Sequence, residues 1–438
     1  MGRRGALCVC QPRLGRCRQR YAGGMQAGAG GAQPRRLPGS CLMRGAVGGV
    51  ASRVASDPRG EWLALTEYPD LAGDWRRLQA QADGTPFTHW HWISTWLDHL
   101  PAQIVPRVFR VEDEQGLLAL ALAVDARERG NGRLFGRHSL RLQETGIEAL
   151  DEISVEYSGL LTRRGGEVAA YAALFRALEQ HWDGWRRFRI SATADGPHIA
   201  AALSPGLHCY SVHTQPCYRV DLTRLRASGK GYMDSLKRNF RHHLRQSQRA
   251  YGAHGALQVE VAASIDSALA WLDELRILHE RRWRSKGEEG AFAGGFFHAF
   301  HDTLVRKGLA DGYVRMTRIS AGPLVVGYLY NLYWRGTVYF YNCGLNYGAL
   351  PRYDSPGSIA LAACIQQCLD EGLDTFDFLA GAQPYKRRLS DHARTLEWID
   401  VRRRGLAHDS ERLIAQALGT ATFGQPLALQ TPTTSSSE

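Results

Sequence analysis

The sequence predicts a mixed α/β (α+β) protein of two tandem domains. Two observations carry that reading. One order of elements, three strands then a helix then a strand, can be read twice along the chain, and 438 residues exceed one typical domain. An apolar fraction of 44% supplies ordinary globular cores for both.

In the first half, Arg107 to Val111 has strand composition and Asp113-Glu114-Gln115-Gly116 is a turn. Leu117 to Asp125 is the second strand, and Gly130-Asn131-Gly132 turns the chain into a third at Arg133-Leu134-Phe135. A helix from about Glu167 to Trp182 and a strand at Arg187 to Ser191 complete the set. His89-Trp90-His91-Trp92 reads as packing in the first helix, since Trp96 and Leu97 continue the helical spacing.

The second half repeats the order. Tyr313 to Ile319, Leu324 to Tyr333 and Thr337 to Cys343 are strands, parted by Ala321-Gly322-Pro323 and Arg335-Gly336. A helix from about Ser358 to Leu369 precedes a strand at Thr375 to Leu379. Between the halves, Met233 to Tyr251 spaces Met233, Leu236, Phe240 and Leu244 as one apolar helical face. Arg238, Arg241, His242, Arg245 and Arg249 line another face. A second helix is expected from about Ile265 to Arg284. The expected divisions are a tail at 1–56, domains at 57–216 and 217–410, and a tail at 411–438.

The net charge of +11 suggests nucleic acid at first sight. Residues 1–56, however, hold ten arginines, no lysine and no acid, which leaves the other 382 residues near +1. A near-neutral folded part argues against a broad footprint on DNA. The Gly/Arg/Ala-rich tail lacks periodicity and reads as disorder, a weak transit-like segment, or sequence upstream of a start at Met43. No run of about 18 apolar residues predicts a membrane span. Five cysteines lie outside the tail (Cys209, Cys217, Cys343, Cys364, Cys368), odd in number and irregularly spaced. They read as reduced thiols of a cytoplasmic protein with no metal site.

The chemistry concentrates in Asp377-Phe378-Leu379-Ala380-Gly381-Ala382-Gln383-Pro384-Tyr385-Lys386. Asp377 is a charge inside an apolar strand, where it must be paired, hydrogen-bonded or functional. Gly381 and Pro384 end the strand, and the turn presents a phenol and an ammonium as neighbours. Ser355-Pro356-Gly357-Ser358 opens a helix directly after the third strand. It is either an ordinary capped start or a place for an anion at a helix N-terminus. Ser228-Gly229-Lys230-Gly231 fails as a phosphate loop, because Arg224 stands where its first glycine belongs.

The Asp377–Leu389 block resembles the C-terminal signature of acetyltransferase domains called BioF2-like or CelD-like. These belong to the GNAT superfamily and are related to Fem-type aminoacyl transferases. Leu236 to Arg245, Leu278-His279-Glu280-Arg281-Arg282-Trp283 with Lys286-Gly287, and Ser355-Pro356-Gly357 also match, so the resemblance spans about residues 60–405. It implies two tandem GNAT-like domains, each a mostly antiparallel sheet flanked by helices, with the first degenerate. It implies acyl transfer to an amine or hydroxyl of a sugar or cell-envelope or exopolysaccharide precursor, with acetyl-CoA or another acyl-CoA as co-substrate and none bound permanently.

Under that resemblance Asp377, Tyr385 and Lys386 are the catalytic candidates. Asp377 either accepts a proton or ties down the turn; Tyr385 either protonates the leaving sulfur or packs on the strand; Lys386 either meets developing negative charge or is solvated. Asn342, Ser355, Gly357 and Ser358 are placed to hold the donor. Arg238, Arg241, His279, Trp283 and Lys286 are placed to hold a small-molecule, lipid-linked or nucleotide-linked sugar. Two other readings stay open on the same fold: an aminoacyl-tRNA-dependent Fem-like ligase, and a non-catalytic scaffold in a polysaccharide-synthesis complex.

Overall fold

The computed structural model describes residues 57–128, 137–182, 184–405 and 425–427. The first half runs β1 (Arg59–Ala64), α1 (Leu71–Gln81), α2 (Trp90–His99), β2 (Arg107–Asp113), β3 (Gly116–Glu128), β4 (Arg137–Leu142), α3 (Glu148–Asp151), β5 (Leu161–Thr162), α4 (Glu167–His181), β6 (Arg187–Thr193), α5 (Gly196–Ala201) and β7 (Leu207–Asp221). The second runs α6 (Leu222–Ala227), α7 (Tyr232–Ser235), α8 (Arg238–Gly252), β8 (Leu257–Val261), α9 (Ile265–Arg284), α10 (Gly295–Gly308), β9 (Val314–Ala321), β10 (Leu324–Trp334), β11 (Thr337–Leu345), α11 (Pro356–Asp370), β12 (Thr375–Ala380), α12 (Pro384–Leu389) and β13 (His392–Arg403), with β14 (Gln425–Pro426) beyond.

Once the extra α3, β5 and α6–α8 are set aside, the halves match element for element. One sheet runs β1-β2-β3-β4-β6-β13-β7-β12-β11-β10-β9-β8. Exchanging each strand for its counterpart reverses this order onto itself, the mark of a pseudo-twofold repeat. Each half has one parallel pairing, β4 with β6 and β11 with β12; the other ladders are antiparallel. The long closing strands are swapped: β7 pairs with β12 of the second half and β13 with β6 of the first. The expected boundary at 216/217 therefore falls inside a strand that ties the halves together. The anticipated strand at Arg133–Phe135 lies outside the described residues, and the third strand of the first half is seen at Arg137–Leu142.

The halves share one core, in which α1, α2, α9 and α10 pack on one side of the sheet with Trp75, Trp92, Leu275, Phe300 and Tyr341 buried together. Separate cores cover the other side, one built on α4 and one on α8, α11 and α12. Gly344 of β11 shows how closely α9 docks, because a Cβ there would lie 2.4 Å from the Leu275 carbonyl oxygen. The expected single helix 233–251 is broken between Ser235 and Arg238, where Leu236 is extended (ψ 152°) and buries its side chain. Tyr385 and Lys386 sit on a short helix where the Gly/Pro content predicted a turn, since Pro384 fits the first helical turn.

His89 caps α2, its Nδ1 accepting the His91 N–H at 3.2 Å. Burial pushes its imidazole down to about 3. The unfolded chain then binds the extra proton below about pH 6.5, so this contribution is intact above 6.5 and is lost as pH falls. His89→Asn keeps an N-cap acceptor and removes the titration. Chemical denaturation should show the variant losing about 2 kcal/mol less than wild type between pH 7 and pH 5; identical losses would refute the assignment.

Candidate active site

Parallel pairing of β11 and β12 runs through Thr337–Thr375, Val338–Phe376 and Tyr339–Asp377, and the paired register ends there. Strand alternation at this end sends Phe376 and Phe378 to the α11 side and Asp377 to the side shared by both halves. Asp377 is fully buried. Its Oδ2 accepts from the Tyr157 hydroxyl at 2.6 Å, and its Oδ1 from the Cys217 thiol at 3.1 Å and the Leu379 N–H at 2.8 Å. Arg219 Nε lies 3.1 Å away. Burial, then the Asp377 charge, pushes the Tyr157 phenol and the Cys217 thiol well above their usual ranges, so both remain donors. Arg394 of β13 stacks 4.1 Å from the Tyr157 ring centroid and donates Nε to its oxygen at 3.1 Å.

Tyr157 comes from the first half, in a loop whose residues Ser154 and Tyr157 adopt φ of 47° and 52°. Such conformations cost about 1–3 kcal/mol each and persist where surroundings over-determine them. The neighbouring Glu156 is buried, and its Oε2 accepts the Ala380 N–H at 2.6 Å. On the opposite edge of that peptide, Lys386 Nζ donates to Leu379 O at 3.3 Å, and it also donates to Ala380 O of the next peptide at 2.6 Å. Leu379, at φ 61°, makes the bend that turns these carbonyls to the lysine and its own N–H to Asp377. Burial lowers the Lys386 ammonium below the usual lysine value, with the Glu156 charge opposing. A carboxylate and an ammonium thus bracket one peptide at the end of β12.

Of the residues singled out in the sequence, Asp377 and Lys386 converge on this cluster. Tyr385 does not: it is buried on the α11 side, its ring 6.4 Å from that of Phe378. Asn342, on β11 beyond the paired register, turns Oδ1 to the Cys343 N–H at 2.7 Å. Ser355, Gly357 and Ser358 start the 15-residue α11, with Pro356 at its first position and no acid in its first turn. His243 Nε2 is 3.2 Å from Ser355 Oγ. His279 and Trp283 are buried one turn apart on α9, the indole N–H donating to His279 Nε2 at 2.9 Å. Burial, then Lys286, holds the His279 imidazole down at about 4. Lys286 Nζ sits 4.8 Å from the Trp283 ring centroid. Arg238 and Arg241 line a separate hollow on α8.

Sequence reasoning missed Glu156, Tyr157, Cys217, Arg219 and Arg394. Glu156 carried a readable signal, an acid within Ile153-Ser154-Val155-Glu156-Tyr157, the same anomaly that marked Asp377. Cys217, Arg219 and Arg394 matter only through the strand exchange, and Tyr157 only through the meeting of the two halves, which no local pattern encodes.

The counterpart opening in the first half differs. Beyond β4, Glu144 Oε2 accepts from Ser191 Oγ of β6 at 2.7 Å, bridging the two strands. The helix equivalent to α11, α4, carries Glu167 in its first turn, and that carboxylate accepts the Gly165 N–H at 3.2 Å. One helix carries an acid in its first turn; the other has none there, and Asp354, just before its cap, is held by the Tyr251 hydroxyl and the Gly348 N–H at 2.6 Å each.

The frame is a tandem α/β fold with a charged cluster where two parallel strands part. Residues 238–387 match the acetyltransferase (GNAT) domain family, the family that the chain's motifs resemble. Among solved structures, FemX aligns with 78% of this chain and 98% of its own length at 10% identity, TM-score 0.50, a likeness of fold. A tandem GNAT protein from the clavulanic acid biosynthesis pathway aligns over 78% and 98% at 14% identity, TM-score 0.42. L-PGS from Bacillus licheniformis aligns over 79% and 95% at 13% identity, TM-score 0.46. No curated protein matches the sequence. Among the described residues, no helix is long and apolar enough to cross a membrane.

Proposed function

We propose that the protein transfers an acyl group from a coenzyme A thioester, held by the second half, to an amine or hydroxyl of a sugar or cell-envelope precursor. The asymmetry of the two equivalent helix starts carries the reading. α11 opens on Ser355-Pro356-Gly357-Ser358 with no acid, whereas α4 fills the same position with Glu167. Only the former lacks an acid in its first turn, which leaves its dipole to a diphosphate. The donor lies along the α11 and α12 side, where the Tyr385 hydroxyl protonates the departing thiolate. The acceptor comes from the side shared by both halves.

On that side the two carboxylates have different roles. Asp377 already meets Tyr157, Cys217, Leu379 and Arg219, and positions the end of β12. Glu156 takes the acceptor's proton as its nitrogen or oxygen attacks the carbonyl carbon. Lys386 faces the oxyanion, where a fixed cation in a site closed to water acts most strongly. His279, Trp283 and Lys286 line the acceptor's approach. Tyr385→Phe should lower turnover about 100-fold with donor affinity unchanged, the scale of a lost general acid; a normal rate would remove Tyr385 from the chemistry.

Calorimetry with acetyl-CoA tests the whole reading. Wild type should bind, and Ser355→Asp should bind about tenfold more weakly while melting at the same temperature or higher. The new carboxylate caps the helix yet repels the diphosphate. Lack of binding at millimolar acetyl-CoA would overturn the thioester donor. Binding of an aminoacyl-tRNA in its place would assign the Fem-like ligase reading.

A further inference from the structure

Two hollows lie along α8 in the second half, one of them shared with α12, and neither is lined by Asp377, Glu156 or Lys386. The first, of about 430 Å³, is lined by Arg238, Asn239, Arg241, His242 and Arg245. The second, of about 420 Å³, lies between the α7–α8 junction and the α12–β13 junction. Its polar wall includes Ser235, Lys237, Arg387, Arg388, Ser390 and His392, and its floor is buried Tyr232, Leu236 and Leu389. Lys237 lines one hollow and the next residue, Arg238, lines the other. Six cations, four from the start of α8 and two from α12, therefore line the two hollows.

The counter-charges are few. Asp234 holds two of the arginines, accepting from Arg245 Nη2 at 3.0 Å while its carbonyl oxygen accepts from Arg241 Nη1 at 2.7 Å. Asp234 thus tethers both Arg241 and Arg245. Asp391 lies in the second hollow and is already engaged, by Arg224 at 2.6 Å and by His392 at 2.7 Å. The local sequence also departs from helix-forming rules: α8 starts on Lys237 without a side-chain cap, with Arg238 next and no acid in its first turn. Cations at the positive end of a helix dipole destabilise it unless an anion is present. A violation of local preference beside a concave cationic surface marks a place shaped for a ligand.

We infer that the two hollows together bind a ligand carrying two or more phosphate charges, at a site distinct from the α11 helix start. Arg238, Arg241 and Arg245 clasp one phosphate, with planar guanidinium forks matching its oxygens. Lys237, Arg387 and Arg388 hold the next. The apolar floor of Tyr232, Leu236 and Leu389 takes the carbon portion joined to it. A soluble diphosphate and the headgroups of an anionic lipid share this chemistry.

The test uses the full chain and inorganic pyrophosphate, followed by calorimetry at low and at physiological salt. Vesicles of phosphatidylcholine with and without phosphatidylglycerol are co-sedimented in parallel. Wild type should bind pyrophosphate, more weakly as salt rises. Arg238→Gln/Arg245→Gln and, separately, Arg387→Gln/Arg388→Gln should each weaken it about tenfold or more, since losing a charge-assisted bond costs that much. These side chains are exposed, so melting temperatures should stay within a degree or two. Pyrophosphate binding without vesicle binding assigns a soluble ligand. Vesicle binding that needs phosphatidylglycerol and fails in both variants assigns the lipid. Equal binding by wild type and variants overturns the site, as does retention of RNA with neither pyrophosphate nor vesicles bound. Acetyl-CoA binding in the Ser355→Asp variant is read separately, so the donor reading and this one fail independently.

Discussion

Lys386→Met is expected to slow acyl transfer at least 100-fold, read as release of coenzyme A thiol, while acetyl-CoA affinity stays near wild type. Removing one well-placed donor from an oxyanion site costs about 10²–10³ in rate. Lys386 is buried and its Nζ is fixed by the carbonyls of Ala380 and Leu379. Methionine fills a similar volume without the charge, so the packing around α12 survives. The pH dependence separates catalysis from scaffolding. Burial lowers the folded ammonium below the ordinary 10.5. A reaction that needs the charged form therefore loses rate as pH rises through that depressed value. Stability moves the other way: the folded state holds fewer protons than the unfolded one between the depressed value and 10.5, so wild-type stability rises with pH across that window. Lys386→Met should lack both effects, and Lys386→Arg should carry the rate to higher pH. A folded methionine variant within threefold of the wild-type rate would remove Lys386 from the reaction.

The site was only partly legible because its parts obey rules of different range. Asp377 stood out because a charge in the run Thr375–Leu379 violates local patterning, and local violations can be read from letters. The helix start at Ser355-Pro356-Gly357 was equally local, and α9 follows the predicted Ile265–Arg284 bounds because capping by Ser264 and the apolar spacing agree. The exchange of β7 and β13 is a contact between segments some 180 residues apart, and nothing in either strand names its partner. Cys217, Arg219 and Arg394 were therefore invisible as site residues although each was in plain view. The sheet face of Tyr385 was hidden for a related reason. Pro384 starts a helix where a turn was expected, and a helix rotates successive side chains by about 100°. Tyr385 and Lys386 thus point to different sides, although adjacency in sequence suggested one.

Asp377→Ala should cost about 3–5 kcal/mol, the range for breaking a buried charge pair and leaving its partners unsatisfied. Four groups lose their acceptor at once: the Tyr157 hydroxyl, the Cys217 thiol, the Leu379 N–H and Arg219. Three are buried, and each stranded donor costs about 1–3 kcal/mol. Asp377→Asn keeps the shape and one acceptor oxygen, so its loss should be roughly half as large. The consequence reaches past β12, because Tyr157 belongs to the first half and Asp377 to the second. Removing the hydroxyl by Tyr157→Phe should itself destabilise by about 1–3 kcal/mol, as expected for a hydrogen bond to a buried charge. In the double variant Tyr157→Phe/Asp377→Asn the losses should fall short of additivity by more than 1 kcal/mol, since both remove the same bond. Denaturant unfolding followed by tryptophan fluorescence measures all four species, and both halves should unfold in one transition because β7 and β13 cross between them. Strict additivity would show that the phenol and the carboxylate are neighbours without being partners. The acceptor side of the site would then lack the rigid floor on which Glu156 and Lys386 are placed.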